Sequence, residues 1–297
     1  MNGALSRRRW IQAAGAAALL AGPLAFAANG KANERLEAIR ARIGGRLGVH
    51  VLDTHTGQRI RFDDDSRYAT ASTFKMLLAA AVLKRVDRGE LTLMQPIAYS
   101  DKDMLKVTSP VTAKHLAEGS LPLQDLCAAI VMVSDNTAAN LLMKLIGGPA
   151  AITSFARELG DEVTRMQRWE PELNSNVRGD PRDTTSARAT VGNMQKLLTG
   201  GALSAASADR LIGWMIDATP GLGRVRAGIP KTWKAGDKTG TGANGAVNDL
   251  AILWPPGRKP ILVAIYMSES TQTTDALVAA HAEIATTLFD EKEIVVA

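Results

Sequence analysis

The amino-acid sequence predicts a mixed α/β fold of the α+β kind, in which both ends of the chain contribute to one sheet. Five short segments that are β-branched or apolar predict strands, two within residues 46–62 and three within residues 233–267. Longer segments between about residues 72 and 214 repeat their apolar positions at helical spacing. We therefore expect a terminal, antiparallel five-stranded sheet flanked by helices, an inserted all-helical subdomain, and a site in the cleft between them.

The chain before the first strand predicts a helix. In NERLEAIRARIGG, Asn33 is the expected N-cap, and two glycines end the helix. Leu36, Ile39 and Ile43 share one face of it, which predicts burial of that face. The next segment, RLGVHVLDTHTGQRIRF, predicts two short strands joined at a Thr-Gly turn.

The central part of the chain contains six segments of helical periodicity, namely TFKMLLAAAVLKRVDRG, LQDLCAAIVMV, NTAANLLMKLIGG, ITSFAREL, SARATVGNMQKLL and SADRLIGWMI. Strand patterns return in WKAGDKTG, AVNDLAILW and PILVAIYM, and the last helical pattern is TDALVAAHAEIATTLF. This order predicts one domain of residues 28–297. Its sheet subdomain would comprise about residues 28–66 and 217–297, and its helical subdomain about residues 67–216.

The first 27 residues have the pattern of a cleaved signal peptide. Three arginines in SRRRWIQ precede an apolar, alanine-rich stretch that ends at the cleavage-like triplet Ala25-Phe26-Ala27. A transmembrane anchor is the alternative, but the stretch is short and interrupted by Pro23. The paired arginines, followed by an aromatic and an aliphatic residue, resemble a twin-arginine signal, which the export machinery reads. We expect a bacterial periplasmic protein that keeps no stable membrane anchor after processing.

Composition and charge predict a folded globular domain and argue against a nucleic-acid partner. The chain has 297 residues, of which 46% are hydrophobic and 22% charged, and its formal net charge is +5. The predicted signal peptide holds three of the 35 basic residues and none of the 30 acidic ones. The remaining chain is therefore nearly neutral, without the basic excess that nucleic-acid binding requires.

The residue inventory indicates neither a disulfide nor a metal site. Cys127 is the single cysteine and lies in an apolar helical segment, where a small buried thiol is expected. The four histidines, His50, His55, His115 and His281, lack the spacing of zinc ligands. We expect a protein that uses no cofactor and no metal.

The segment STFK places Ser72 and Lys75 three residues apart where a helical pattern begins. At that spacing both side chains lie on one face, so the lysine amine can reach the hydroxyl and activate a weak nucleophile. A helix start also supplies free backbone N–H groups for a developing oxyanion. When the motif stands alone, a helix-capping serine and an exposed lysine explain it as well.

Two further motifs contain polar residues at breaks in the pattern. SDN, which is Ser134, Asp135 and Asn136, lies between two helical segments, where helix capping is the alternative explanation. DKTGTG ends a predicted strand and places Lys238 beside glycines that let the backbone approach a ligand closely. A strand end followed by a turn is the alternative there.

The three motifs together, in the order SxxK, SDN and KTG, resemble those of the penicillin-recognising serine acyltransferases. The resemblance covers essentially all of the chain after the predicted signal peptide. This family contains transpeptidases and β-lactamases, which form the same acyl-serine. The loop motifs RWEPELN and RDTT, at residues 168–174 and 182–185, are similar to the loop that provides class A β-lactamases with a base for water.

The resemblance therefore implies a monomeric, metal-free class A serine β-lactamase whose small-molecule substrates are penicillins and cephalosporins, and which gives antibiotic resistance. A D-alanyl-D-alanine carboxypeptidase or transpeptidase is the alternative within the superfamily. A non-catalytic penicillin-sensing domain is a second alternative, against which the intact glutamate loop argues.

The resemblance also implies which residues carry out the reaction. Ser72 would attack the β-lactam carbonyl, and Ser134 would relay a proton to the leaving nitrogen. Lys75 and Lys238 would tune that relay electrostatically. Glu170 would deprotonate a water that it holds together with Asn174, and the base for acylation would be either Lys75 or Glu170.

Substrate binding is implied for the remaining motif residues. Asn136 would bind the side-chain amide of the substrate, and Thr239 and Thr241, on either side of Gly240, would meet its carboxylate. The backbone N–H groups of Ser72 and Thr241 would hold the oxyanion.

Structural roles are implied around the glutamate loop. Arg168 and Asp183 would form an ion pair that closes it as an Ω-loop. Glu172 would anchor the loop, the bond between Glu170 and Pro171 would be cis, and Asp135 would hold the helix break together.

The sequence departs from the family pattern at the cleft. Many relatives carry an arginine for the substrate carboxylate where this chain has Val247, and valine cannot bind an anion. Arg224 is the expected replacement, with Arg226 as the nearby alternative. Thr108 stands where an aromatic side chain often guards the entrance. Ala71 stands where carbapenem-hydrolysing relatives commonly have a disulfide cysteine.

Overall fold

The computed structural model of the protein describes residues 21–289, with side chains from Gly30 onward. Residues 1–20, which include the arginines of the predicted signal peptide, lie outside the described residues. Within the described range, none of the helices combines the length and the apolar character needed to cross a membrane.

Nine strands are present among the described residues: β1 (Arg46–Asp53), β2 (Arg59–Phe62), β3 (Tyr68–Ala69), β4 (Pro96–Ala98), β5 (Ser120–Pro122), β6 (Thr184–Thr185), β7 (Lys234–Thr241), β8 (Val247–Trp254) and β9 (Ile261–Ser268). Five of them form the main sheet, in the order β2-β1-β9-β8-β7, and all neighbours in it are antiparallel. The predicted five-stranded sheet built from both ends of the chain is confirmed.

Ten α-helices surround this sheet within the described residues: α1 (Ala21–Ile43), α2 (Phe74–Asp87), α3 (Pro110–Lys114), α4 (Leu123–Met132), α5 (Asn136–Ile146), α6 (Pro149–Glu158), α7 (Ala187–Met194), α8 (Ala205–Ile216), α9 (Val225–Gly228) and α10 (Thr274–Phe289). All six predicted central helices form. The proposed subdomain boundaries at residues 67 and 217 stay a prediction.

The sheet is the middle layer of the molecule, with an apolar core on each face. Along β9, Leu262, Ala264 and Tyr266 belong to the core shared with the helical part. Their neighbours Val263 and Ile265 belong to the core beneath α1 and α10. Since successive side chains of a strand point to opposite faces, a strand buried on both sides is apolar throughout. This explains the unbroken apolar run in PILVAIYM.

The first helix is longer than the sequence predicts. It begins at Ala21, so Asn33 lies inside α1 and the prediction of an N-cap there is wrong. Alanine is the strongest helix former, so the alanine-rich segment before Asn33 continues the helix in place of ending it. The predicted end is correct: Gly44 and Gly45 follow with φ values of 67° and 69°, a conformation that favours glycine.

Two small sheets were not predicted, because pairs of two or three residues are too short to show a periodicity. One of them, β3 paired with β6, places Ala69 beside Thr184. The backbone N–H of Thr70 then donates to Asp183 O at 2.9 Å. The segment that leads to Ser72 is thereby joined to the end of the glutamate loop, so this small sheet helps to position the site.

Candidate active site

A polar cleft of about 230 Å³ lies between the sheet and the helical part, and residues from all three predicted motifs and the glutamate loop line it. Its lining comprises Ser72, Thr108, Val133, Ser134, Asn136, Asn174, Pro220, Arg224, Thr239 and Thr241. Seven of the predicted site residues therefore line this cleft, whereas Lys75, Glu170, Lys238 and Gly240 are not part of its lining.

Ser72 lies in a short 3₁₀ turn, Ala71–Thr73, immediately before α2. Ala71 has a φ of 40°, an uncommon value for a residue with a side chain, of the kind that concentrates at functional sites. Strand β7 packs closely on this turn. A Cβ at Gly240 would lie 2.9 Å from Thr70 O and 3.1 Å from the Ser72 nitrogen, so only glycine permits the approach.

Lys75 directs its hydrogen bonds to residues other than Ser72. Its fully buried ammonium donates to Ser134 O at 2.9 Å and to Asn136 Oδ1, and it lies 3.0 Å from Glu170 Oε1. Within the described chain, no hydrogen bond joins the Ser72 hydroxyl to Lys75. The physical reason is competition, since Ser134 O, Ser134 Oγ and Asn136 Oδ1 accept the three ammonium protons, while Glu170 holds the ammonium by charge. Burial lowers the pKa of Lys75, and the nearby Glu170 carboxylate opposes that effect.

Ser134 lies between two ammonium groups. Its Oγ is 3.3 Å from Lys75 Nζ and 3.3 Å from Lys238 Nζ, and its backbone has a φ of 62°. Lys238 also donates to Thr239 O at 2.8 Å. Burial lowers the pKa of Lys238 to about 7, and the positive charge of Lys75 acts in the same direction. The three side chains therefore form a short path along which a proton can move.

The helix break that carries Ser134 is fixed by Asp135. Its carboxylate accepts the backbone N–H of Val111 at 3.0 Å, the N–H of Thr112 at 2.9 Å and the N–H of Ala138 at 2.8 Å. The last of these bonds caps α5. Asp135 is fully buried by its partners, which agrees with the structural position inferred for it.

Glu170 is buried and held at three points. Asn174 donates its amide to Glu170 Oε2 at 2.5 Å. Asn140 accepts from the Glu170 N–H at 3.0 Å and donates to its carbonyl at 2.9 Å. The sequence reasoning missed Asn140. Its spacing of four residues from Asn136 on α5 was the available signal, because that spacing places both amides on one face.

Two buried acceptors face this region without a hydrogen-bond donor from the protein. One is Glu170 Oε1 and the other is Asn174 Oδ1. The ammonium of Lys75 is only 3.0 Å from Glu170 Oε1, yet its direction does not satisfy a hydrogen bond, so the contact is an ion pair alone. A water molecule has two protons and could satisfy both acceptors.

The Ω-loop is closed by the predicted ion pair. Arg168 Nε lies 2.5 Å from Asp183 Oδ2, and the Glu170-Pro171 peptide bond is cis. Glu172 is exposed, and its side chain makes no hydrogen bond or ion pair with the described residues, so the prediction that it anchors the loop is wrong. Asn176 provides the anchor, because its amide donates to Ala243 O at 3.1 Å and to Asn244 O at 3.0 Å.

The two candidate arginines occupy different environments. Arg224 lines the cleft, donating to Thr241 Oγ1 at 2.7 Å and to Gly240 O at 3.0 Å. Burial lowers its pKa, and the charge of Asp249 opposes that effect. Arg226 lies 2.6 Å from Asp237 and donates to Ile216 O, outside the cleft lining. Val247 points into the core beneath α1 and α10.

The comparisons with known proteins place the chain in one family. The profile of the β-lactamase enzyme family matches residues 31–291. The chain belongs to this family.

Similar proteins of known name are β-lactamases, and the similar solved structures are of class A. The carbapenem-hydrolyzing β-lactamase KPC of Klebsiella oxytoca is 42% identical, covering 90% of this chain and 92% of that protein. A β-lactamase of Amycolatopsis lactamdurans is also 42% identical, covering 90% and 88%. An ancestral (GNCA) class A β-lactamase structure superimposes with a TM-score of 0.85 at 50% identity, covering 86% of this chain and 98% of the other. This protein is a class A serine β-lactamase.

Proposed function

We propose that this β-lactamase opens penicillins and cephalosporins by acylating Ser72 and then releases the product with a water activated by Glu170. The observation that carries the proposal is the pair of buried acceptors, Glu170 Oε1 and Asn174 Oδ1, which have no donor from the protein. Asn174 lines the cleft that contains Ser72, and its amide donates to the Glu170 carboxylate behind it. A base that holds water there distinguishes a hydrolase from an enzyme that remains acylated.

Acylation begins with attack of the Ser72 oxygen on the lactam carbonyl. The proton of Ser72 passes to the base, which is Lys75 or Glu170, since these groups are 3.0 Å apart and can exchange it. As the C–N bond breaks, Ser134 donates a proton to the leaving nitrogen and receives one from Lys75 or Lys238, each 3.3 Å from its oxygen.

In deacylation, a water molecule attacks the ester carbonyl of the acyl-enzyme. Glu170 removes a proton from a water oriented by Asn174, and the hydroxide adds to the ester carbonyl of Ser72. Collapse of the tetrahedral intermediate breaks the ester bond, and the proton returns to Ser72. Asn140 supports this step by holding the backbone of Glu170 on both sides.

Substrate recognition follows from the polar lining. Asn136 binds the amide of the substrate side chain, and its position beside Lys75 is fixed by a hydrogen bond. Thr239 and Thr241 receive the carboxylate, with Lys238 and Arg224 supplying positive charge beneath it. The backbone N–H groups of Ser72 and Thr241 polarise the carbonyl, since Gly240 brings β7 against the turn of Ser72.

We further propose that the protein acts as a monomer in the periplasm after twin-arginine export. Arg7 and Arg8 at the start of SRRRWIQ, together with the cleavage-like triplet, support this route. Replacing both arginines by lysine should leave precursor in the cytoplasmic fraction, whereas Lys31→Arg should not. Periplasmic accumulation of the double variant would contradict the twin-arginine route.

The reaction is tested with a chromogenic cephalosporin and a known concentration of active sites. The wild-type protein should convert many molecules of substrate per site, and Ser72→Ala should convert none above the buffer rate. One equivalent of colour followed by a plateau would instead indicate a D-alanyl-D-alanine carboxypeptidase or transpeptidase.

A further inference from the structure

Five buried hydroxyl groups lie in a row between the turn of Ser72 and a carboxylate behind the active site. Thr73, the residue after Ser72, lies 3.2 Å from the hydroxyl of Tyr266, which lies 3.0 Å from Thr190 Oγ1. Thr190 is 3.3 Å from Thr185 Oγ1, and Thr185 is 2.7 Å from Thr164 Oγ1. Thr164 donates to Asp161. None of these hydroxyls has a role in the proposed reaction.

Counting protons assigns the direction of the bonds nearest to Ser72. Thr73 Oγ1 is 2.6 Å from Thr70 O, and a carbonyl can only accept, so the single proton of Thr73 is used there. Tyr266 must therefore donate to Thr73. Since the proton of Tyr266 is then used, Thr190 must donate to Tyr266.

The other end of the chain is fixed by the carboxylate. Asp161 accepts from the N–H of Val163 at 2.8 Å, from the N–H of Thr164 at 2.9 Å and from Asn193 Nδ2 at 2.7 Å, so it is an acceptor for Thr164 as well. Thr185 then donates to Thr164, and no proton remains for the contact between Thr185 and Thr190. That contact is also the longest in the chain, at 3.3 Å. The direction of the Tyr266 hydroxyl is therefore set by Thr73 and Thr70 at the turn of Ser72, and not by Asp161.

We propose that Tyr266 is a positioning residue for the nucleophile: its hydroxyl donates to Thr73 and thereby holds the 3₁₀ turn that presents Ser72. Tyr266 is 1% exposed and lies on β9, the central strand of the sheet, so it provides a rigid support. The 3₁₀ turn needs such a support, because its first residue, Ala71, has an uncommon backbone conformation with a φ of 40°. Burial also raises the pKa of Tyr266 to about 12, which keeps its donor proton in place.

The inference rests on the proposed role of Ser72 and specifies what holds that residue. Without the Tyr266 hydroxyl, Thr73 loses a donor and the turn gains freedom. The Ser72 oxygen and its backbone N–H then sample positions displaced from the carbonyl. Loss of one hydrogen bond of ordinary strength in a positioning contact corresponds to a rate loss of about tenfold.

The experiment compares Tyr266→Phe with Tyr68→Phe. Both remove one hydroxyl from a buried tyrosine, and the two rings are neighbours, with centroids 6.0 Å apart. The Tyr68 hydroxyl donates to Asp63, away from the turn, which makes this variant a matched control. We expect the rate of acylation under saturating substrate to fall about tenfold in Tyr266→Phe, with KM little changed, and to stay within twofold in Tyr68→Phe.

A spectroscopic readout separates positioning from a general loss of stability. In the Glu170→Gln background, the infrared stretch of the acyl-ester carbonyl reports the hydrogen bonds that polarise it. Tyr266→Phe should shift this band to higher wavenumber, and Tyr68→Phe should not. Thr73→Val should show the same shift, whereas Thr73→Ser keeps the hydroxyl and should have the wild-type band. The double variant Thr73→Val/Tyr266→Phe should lose no more of the acylation rate than the more impaired single variant.

An unshifted band and an unchanged acylation rate in Tyr266→Phe would overturn the inference. Equal changes of rate and band in Tyr266→Phe and Tyr68→Phe would overturn it too. Additive losses in the double variant would also overturn it. The proposed hydrolysis is judged separately, by turnover of the wild-type protein. Acylation rate and infrared band are measurable whether or not the acyl group is released.

Discussion

Deprotonation of Lys238 should lower the activity as the pH rises through neutrality. Lysine ordinarily keeps its proton to about pH 10, but burial lowers the pKa of Lys238 to about 7, and the charge of Lys75 contributes to the decrease. The pKa is lowered, so the charged form predominates below about pH 7 and the neutral form above it. Only the charged form attracts the substrate carboxylate and can return a proton to Ser134.

The size of the effect follows from the titration of one group. With a pKa of about 7, about nine tenths of the Lys238 side chains are charged at pH 6 and about one tenth at pH 8. The value of kcat/KM reports the ionisation of the free enzyme, so it should fall about tenfold between these two pH values. The assay is initial-rate hydrolysis of a penicillin at low substrate concentration and constant ionic strength.

Two controls assign the decrease to Lys238. In Lys238→Arg the guanidinium stays charged, so the fall between pH 6 and pH 8 should disappear. The methyl ester of the same penicillin lacks the carboxylate and should show a shallower profile with the wild-type enzyme. A flat wild-type profile over this range, or an equal fall in Lys238→Arg, would refute the reasoning.

Three further substitutions test the geometry of the site. Arg224→Ala should lower kcat/KM for carboxylate-bearing substrates about tenfold, and Arg226→Ala should lower it less, since only Arg224 lines the cleft; the reverse ranking would reassign the carboxylate site. Gly240→Ala should reduce kcat/KM about a hundredfold by displacing β7. Gly213→Ala is the control and should remain active, because a Cβ at Gly213 meets nothing within 4 Å. Equal activity of the two variants would contradict the steric argument. Asn176→Ala should lower the free energy of unfolding, measured in denaturant, by about 2 kcal/mol, because it removes the hydrogen bonds of the side-chain amide that anchors the Ω-loop. A change below about 0.5 kcal/mol would show that the loop is anchored elsewhere.

The sequence was sufficient where a pattern arises from the burial of one element. The apolar run of β9 reflects cores on both of its faces, and its strand was predicted correctly. Asp135 is similar, because a helix break needs a capping acceptor whatever packs around it. The motifs of the cleft were also sufficient to predict which residues meet there, since their chain order resembles that of a known family.

The sequence was insufficient where a side chain chooses among partners from distant segments. Ser72 and Lys75 have the spacing for contact, but Glu170, 95 positions further along the chain, lies beside the ammonium. The support of the Ser72 turn by Tyr266 likewise joins residues almost 200 positions apart. Asn33 failed as an N-cap for a local reason, because the helix propensity of the preceding alanines outweighed the capping preference of one side chain.

The central claim is that Ser72 carries the acyl group and Glu170 is needed for its removal. Mass spectrometry of Glu170→Gln after mixing with a penicillin tests both parts in one measurement. We expect Glu170→Gln to gain the mass of one intact substrate, and peptide mapping to place this mass on Ser72. The wild-type protein should return to its unmodified mass under the same conditions. Normal turnover of Glu170→Gln without an adduct, or an adduct on another residue, would contradict the central claim.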